Sequence, residues 1–576
     1  MFTEKWKTSE RKYGVIVERD VKVKLSDGIE LNADVFRPDG TERFPAILGV
    51  HAYDQAPQSA FLKAQALSVA IGRAGGQEKG NAWIEAGDPY FYARRGYTHV
   101  IANVRGSGKS GGTYQFFGPQ EQRDTCELIG WIARQPWCSG AVGMFGVSYF
   151  AMSQLYVASY KPPALKCLFA PWSANDLYRD GACHGGILNH TFWRMWARTS
   201  LHRGRPESDY RRRWGREKLQ EAIALALQDE DLAGTPELAE ILRAPEAFVN
   251  PLLLDFLLNP LDGPFWEERR AKHDEITVPT YLGADWGMYG LHLGGAFRSW
   301  EALKVPKKLL IGPPAYLDRP LYQLQYESLR WFDHWLKGAD TGILEEPAVR
   351  LFLLGANTWK EAEAWPIPGT KWTPFYLHED GLLLEREPWP NEKFSAFEDS
   401  PWERGHVDYA TPKMVEETEV VGPAVANLYA STTDSEVLWH VSLRHVDPDG
   451  TERVLTRGWL RGSHREVDPK RSRPWAPVHP HTRAEPLTPG KVYEFSIAVL
   501  PTAVLLRKGA RLTLRIGCAD DQPTNPLEMI ASGHIRRQSA SRITVYHDAD
   551  RPSHLLLPIT RGNVLGTFIS GAEPFL

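Results

Sequence analysis

The chain has 576 residues, 43% of them hydrophobic and 11% aromatic, which supplies several buried cores and excludes a mini-protein, a disordered chain and a collagen-like repeat. Its 67 Lys and Arg against 71 Asp and Glu leave a net charge of -4, so there is no basic excess for a phosphate backbone and a nucleic-acid partner is not expected. No apolar run reaches the roughly 18 residues of a membrane helix, residues 1–12 are charged, and the five cysteines lack CxxC spacing; the expectation is a cytoplasmic protein off the membrane with buried free thiols.

In the first third, short apolar runs at 44–51, 97–104, 141–147 and 165–170 alternate with helical stretches, and runs at 279–282 and 308–311 resume the series. Continuous rather than alternating apolar character fits strands buried on both faces, so a doubly wound α/β domain is predicted. The 121–135 stretch sets Leu128, Ile129, Trp131 and Ile132 on one helical stripe, and 154–160 continues a helix beyond Ser148. From 177 to 270 the texture turns to helix formers, charges and Trp without a strand-like run, which reads as an all-helical insertion. After 342, strand-like runs at 349–354, 372–377, 436–443, 494–499 and 511–516, punctuated by Pro448-Asp449-Gly450 and Pro489-Gly490, predict a C-terminal β-sandwich. The expected division is a core in two parts, 1–172 and 272–345, a helical insertion at 173–271 and the sandwich at 346–576.

Gly146-Val147-Ser148-Tyr149-Phe150 follows an apolar strand and precedes a helix. That is the context of a nucleophile elbow, in which the serine hydroxyl stands clear of the sheet and the next backbone N–H faces the same space. Phe150 departs from the simple G-x-S-x-G form.

Ordered motifs extend nearly end to end. They include Asp27-Gly28, Arg37-Pro38, Arg105-Gly106-Ser107-Gly108, Gln135-Pro136-Trp137, Gly143 to Tyr149, Arg330-Trp331-Phe332-Asp333-His334-Trp335-Leu336-Lys337-Gly338, Gly355-Ala356-Asn357-Thr358-Trp359 and Leu460-Arg461-Gly462-Ser463. With them the chain resembles the X-Pro dipeptidyl-peptidase-like serine hydrolases, the CocE/NonD group that includes cocaine esterase, α-amino-acid ester hydrolases and cephalosporin acylases. The resemblance implies an α/β-hydrolase core, a helical cap inserted after the nucleophile half and a C-terminal jelly roll. It also implies Ser148 as nucleophile, with an oxyanion hole built from the Tyr149 N–H and the Tyr53 hydroxyl. The family's acid and base positions are occupied here by Met288 and Tyr316, its turn aspartate by Asn103 and an elbow glycine by Ala151.

A serine hydroxyl needs a base, so substitutes are to be weighed. Asp285, three residues before the usual acid position, and Asp176 are the carboxylate candidates. His292, on the same segment as Asp285, and His51, which shares strand parity with Tyr53, lead the imidazoles; His184 and His190 of the cap follow, and His334 reads as structural. Trp193, Trp196 and Trp214 could line an aromatic acyl pocket or simply be core. His184 and His190 lack zinc-ligand spacing and the 105–110 turn lacks Walker spacing, so no metal and no cofactor are expected. The expected function is hydrolysis or acyl transfer on a small-molecule ester or amide. The alternatives are a lyase or isomerase step, or a silent binding protein, on the same fold; a homo-oligomer is compatible with any of these.

Overall fold

The computed structural model describes residues 7–53, 55, 85–200, 214–245, 252–314, 320–521 and 533–562. The core strands are β1 (Val15–Lys24), β2 (Glu30–Pro38), β3 (Phe44–His51), β4 (Thr98–Asn103), β5 (Cys138–Phe145) and β6 (Leu165–Pro171). Helices α1 (Pro89–Ala93), α2 (Pro119–Ala133) and α3 (Tyr149–Ala158) lie between them. The core resumes with β9 (Thr280–Asp285), α10 (Leu293–Ala302), β10 (Lys307–Gly312), α11 (Pro320–Lys337), β11 (Val349–Leu353) and β12 (Thr358–Ala362). These form one ten-stranded sheet in the order β1-β2-β4-β3-β5-β6-β9-β10-β11-β12. From β4 through β11 every neighbouring pair is parallel, and the flanking strands β1, β2 and β12 pair antiparallel. Strands β3 and β4 are buried at every residue, as their unbroken apolar runs predict for a sheet covered on both faces.

The insertion carries the helices α4 (Thr191–Ser200), α5 (Arg216–Ala226), α6 (Glu230–Gly234), α7 (Pro236–Arg243), α8 (Leu252–Leu258) and α9 (Pro264–Glu267). It is not all-helical. A short antiparallel hairpin, β7 (Cys183–His184) with β8 (Ile187–Leu188), precedes them, its Gly185 and Gly186 both at positive φ. Two glycines in a tight turn let such brief strands pair without the alternating pattern that makes a strand legible in sequence.

The C-terminal strands are β13 (Lys371–His378), β14 (Leu382–Leu384), β15 (Phe394–Asp399), β16 (His406–Ala410), β17 (Thr418–Thr432) and β18 (Leu438–Val446). The series continues with β19 (Glu452–Arg461), β20 (Tyr493–Leu506), β21 (Arg511–Gly517), β22 (Ser541–Asp548), β23 (Arg551–Pro552) and β24 (His554–Arg561). All belong to one sheet that curls back on itself, since β24 pairs with both β13 and β17. The 349–354 run predicted for this region instead extends the core: β11 pairs parallel with β10.

One apolar core joins all three regions, taking in Met144 and Leu168 of the core sheet, Trp193 and Phe256 of the insertion, and Leu438, Trp459 and Ile535 of the C-terminal region. A second core fills the curled sheet, with Phe375, Trp439, Phe495 and Leu514.

Candidate active site

The sheet order sets the place of the site. Strand β3 has β4 on one side and β5 on the other, so the connections leaving the carboxyl ends of β3 and β5 open a crevice at a topological switch point. Tyr53 lies two residues beyond β3 and Ser148 three beyond β5.

Ser148 has φ 58 and ψ -121, an arrangement that costs a serine on the order of 1–3 kcal/mol and is held only by its surroundings. Gly146, at φ 130, makes the turn possible, because a Cβ there would meet the Phe150 Cβ at 2.4 Å. The Ser148 carbonyl accepts the Ala151 and Met152 N–H groups and starts α3, ten residues long, whose first residue is Tyr149. The Tyr149 N–H therefore sits at a helix N-terminus, without an intrahelical partner and at the positive end of the dipole. Ser148 is 9% exposed.

The side chain of Tyr53 stands among those of Trp196, Glu85 and Ser148. An indole N–H only donates and a carboxylate only accepts, so a Tyr53 hydroxyl that engages both would receive from Trp196 and give its hydrogen to Glu85. That would leave a lone pair on the Tyr53 oxygen for the Ser148 hydroxyl. Burial and the neighbouring Glu85 push the Tyr53 phenol well above its usual range, so it stays neutral. Glu85 is buried and its carbonyl accepts the Val147 N–H at 3.2 Å, tying the carboxylate to the elbow. Asn103 donates Nδ2 to the Tyr53 carbonyl at 2.8 Å. An ionised aspartate at that position has no hydrogen to give, which accounts for the asparagine.

Around these groups stands an aromatic wall. Trp196 meets Tyr53 edge-on at 6.1 Å and stacks on Tyr149 at 6.2 Å; Phe150 stacks on His51 at 4.9 Å. Trp193 meets both Trp196 and Phe116, whereas Trp214 packs against the outer part of the core. Tyr149 donates its hydroxyl to Glu121 Oε1 at 2.7 Å. Burial lifts the Glu121 carboxyl from its ordinary 4.5 to about 7. A raised value means that the folded state holds the proton more tightly, so this contribution to stability is present below 4.5 and lost as the pH rises through about 7. Glu121→Gln is therefore expected to raise the melting temperature at about pH 8 and leave it unchanged at about pH 4. An equal effect at both pH values in calorimetry would show that the carboxyl is not buried in its charged form.

The remaining sequence candidates are engaged elsewhere. His51 Nδ1 accepts the Tyr53 N–H at 3.1 Å, and Nε2 faces Gln55 Oε1 at 3.1 Å. Both ring nitrogens are thus spent, and burial holds the imidazole neutral, its value down at about 3. Asp285 ends β9 and accepts from Trp172 Nε1 at 2.7 Å and from the Gly287 N–H at 2.7 Å, so its carboxylate shapes the turn. His292 is the N-cap residue of α10, its ring fully buried, and burial pushes it down to about 3. Asp176 pairs with Arg179 and Arg270, each at 2.8 Å. His190 is held low by burial, to about 4; His184 turns to His534; and His334 lies on α11, the amphipathic helix read from 330–338, which begins at Pro320. Met288 is buried in the main core, and its carbonyl accepts the His292 and Leu293 N–H groups. Tyr316 lies outside the described residues. Among the described residues, no imidazole is hydrogen-bonded to the Ser148 hydroxyl, and the side chain of Tyr53 lies beside it. Glu85 escaped sequence reasoning; its one signal is a lone carboxylate in the apolar context Trp83-Ile84-Glu85-Ala86.

A serine elbow over a mostly parallel sheet, with a helical insertion above it, defines a hydrolase. Residues 27–316 match the model of the X-Pro dipeptidyl-peptidase (S15) family, and residues 341–556 that of the X-Pro dipeptidyl-peptidase C-terminal non-catalytic domain. The chain belongs to the S15 family of hydrolases. The cocaine esterase of a Rhodococcus species is 24% identical across 95% of this chain and 99% of its own length. A Mycobacterium bovis protein bearing a serine-esterase name is 27% identical across 86% and 90%. The crystal structure of a CocE/NonD family hydrolase from Staphylococcus aureus superposes with a TM-score of 0.80 at 24% identity, covering 95% of this chain and 94% of that one, and so has the same fold.

Proposed function

We propose that the protein cleaves an ester or amide of a small organic molecule through Ser148, with Glu85, acting across Tyr53, as the proton acceptor. The observation that carries this reading is the placement of Tyr53 between Ser148 and Glu85, with the Glu85 carbonyl bonded to the elbow at Val147. As Oγ attacks the carbonyl carbon, the serine proton passes to Tyr53 Oη and the tyrosine's own proton passes to Glu85. Tyr53 then carries its hydrogen on the side of the new oxyanion, which it shares with the Tyr149 N–H at the start of α3. Donation to charge that exists only in the tetrahedral intermediate is what accelerates the step. Collapse of the intermediate returns the proton along the same line to the leaving oxygen or nitrogen, and water repeats the sequence to free Ser148. The aromatic wall of Trp196 and Trp193 suits an apolar acyl group. The curled C-terminal sheet is, in this reading, the jelly roll that closes the far side of the insertion.

A lyase or isomerase step is favoured by one feature: the Tyr53–Glu85 pair beside a helix N-terminus can move a proton and hold an enolate without any covalent bond to Ser148. A fluorophosphonate label separates the two. Labelling of the wild type and none of Ser148→Ala is the expected result. An unlabelled wild type whose turnover survives Ser148→Ala and is lost in Tyr53→Phe would replace hydrolysis with the second reading.

A further inference from the structure

A second cluster of chemical side chains lies at the seam between the β7–β8 hairpin and the C-terminal sheet. His440 of β18, Asp520 beyond β21 and His534 bring one ligand atom each to within 4.8 Å of one another. His534 Nδ1 stands 2.9 and 3.0 Å from the two Asp520 oxygens, and His440 Nδ1 stands 3.3 Å from Oδ1. Donors bound to one tetrahedral zinc are spaced about 3.4 Å apart, so these separations need little adjustment.

Hydrogen-bond accounting points to a cation there. His184 Nε2 faces the Asp180 backbone carbonyl at 3.4 Å, and a carbonyl only accepts. Nε2 therefore bears the hydrogen, and His184 Nδ1, 2.7 Å from His534 Nε2, is an acceptor. His534 gives its Nε2 hydrogen to it. What remains at His534 Nδ1 is a lone pair aimed at the oxygens of Asp520, an arrangement that repels unless a cation stands between them. The ring of His440, also turned to Asp520, makes no well-aligned hydrogen bond at either nitrogen. All three imidazoles are buried. Of the nearby arginines, Arg444, Arg457 and Arg515 turn their charge to Asp521 at 2.7, 3.2 and 3.7 Å, and Arg536 donates to the Pro401, Ser400 and Glu403 carbonyls. His440 and Asp520 also line a cavity of about 170 Å³, with Trp459, Arg457 and Arg404 on its walls, which leaves room for a fourth ligand.

We propose that His440, Asp520 and His534 form a binding site for a divalent transition metal of the zinc class, with His184 orienting His534 from behind. Two imidazoles and a carboxylate are the donor set of such an ion, and a ligating histidine that hands its other ring hydrogen to a fixed acceptor is the usual supporting arrangement. All three ligands belong to the C-terminal region, and the insertion reaches the site only through His184, which meets His534 at 2.7 Å. It stands independently of the chemistry at Ser148.

The test uses the full chain, stripped with a chelator and desalted, then titrated with Zn²⁺ in competition with a chromogenic chelator and, separately, with Co²⁺. Wild type is expected to take up one ion per chain, to show the visible bands of tetrahedral cobalt and to melt at a higher temperature with zinc than without. His440→Gln and Asp520→Asn should abolish all three signals, and His184→Gln should weaken affinity about 10–100-fold. His464→Gln, at a separate histidine pair with His481, should change nothing. His440→Gln is the decisive variant, since it breaks no well-aligned hydrogen bond and should fold. Wild type that binds neither ion would show that a proton alone sits between His534 and Asp520, and would overturn the proposal. So would metal uptake that persists in His440→Gln.

Discussion

Glu85→Gln is expected to lower kcat for ester hydrolysis by about 10²- to 10³-fold with little change in KM, the size of effect a positioned proton acceptor has. The glutamine keeps a carbonyl oxygen for the Tyr53 hydroxyl, so the geometry survives while the capacity to take a proton is lost. Tyr53→Phe should fall at least as far, because it breaks the line from Ser148 and removes a donor to the oxyanion, worth about 3 kcal/mol in comparable sites. The double variant should be no slower than Tyr53→Phe alone, since groups that act as one unit do not add. Steady-state kinetics on an activated ester would decide it. A Glu85→Gln enzyme with wild-type kcat/KM would assign Glu85 to holding the elbow through its carbonyl and nothing more.

The second large effect is a gain. Met288→Asp together with Tyr316→His is expected to raise ester turnover by about 10²-fold or more, because an oriented imidazole is a better base near neutrality than a carboxylate acting through a tyrosine. The chain just after β9 approaches the chain just after β10: a Cβ on Gly287 would stand 2.8 Å from that of Pro314. Either change alone should add little, since the acid serves only to orient the base. A double variant that melts as the wild type does and gains nothing would mean that these positions no longer face Ser148.

Much of this was legible in the residues. The unbroken apolar runs at 44–51 and 97–104 announced strands buried on both faces, and β3 and β4 are such strands. Gly146 and Ser148 announced the elbow, since few other contexts place glycine and serine between an apolar strand and a helix. The boundary near 345 was less legible: β11 looks like any other short apolar strand, and only its parallel partner β10 assigns it to the core. The β7–β8 hairpin escaped because two-residue strands carry no period.

By itself, then, the sequence determined the layered core and the serine elbow, because those follow from local pattern and from residue types at fixed spacing. Tertiary structure alone decided which side chains surround that elbow. Glu85 is 63 residues from Ser148, and no periodicity links them; the two meet only because the carboxyl ends of β3 and β5 are neighbours and Tyr53 bridges the crevice. The same holds for His440, Asp520 and His534, which come together from separate strands and loops. It holds for His51 as well, whose parity with Tyr53 was readable while the Tyr53 N–H and Gln55 that occupy its two nitrogens were not. A side chain's chemistry is set by what surrounds it, and its surroundings are chosen by the fold.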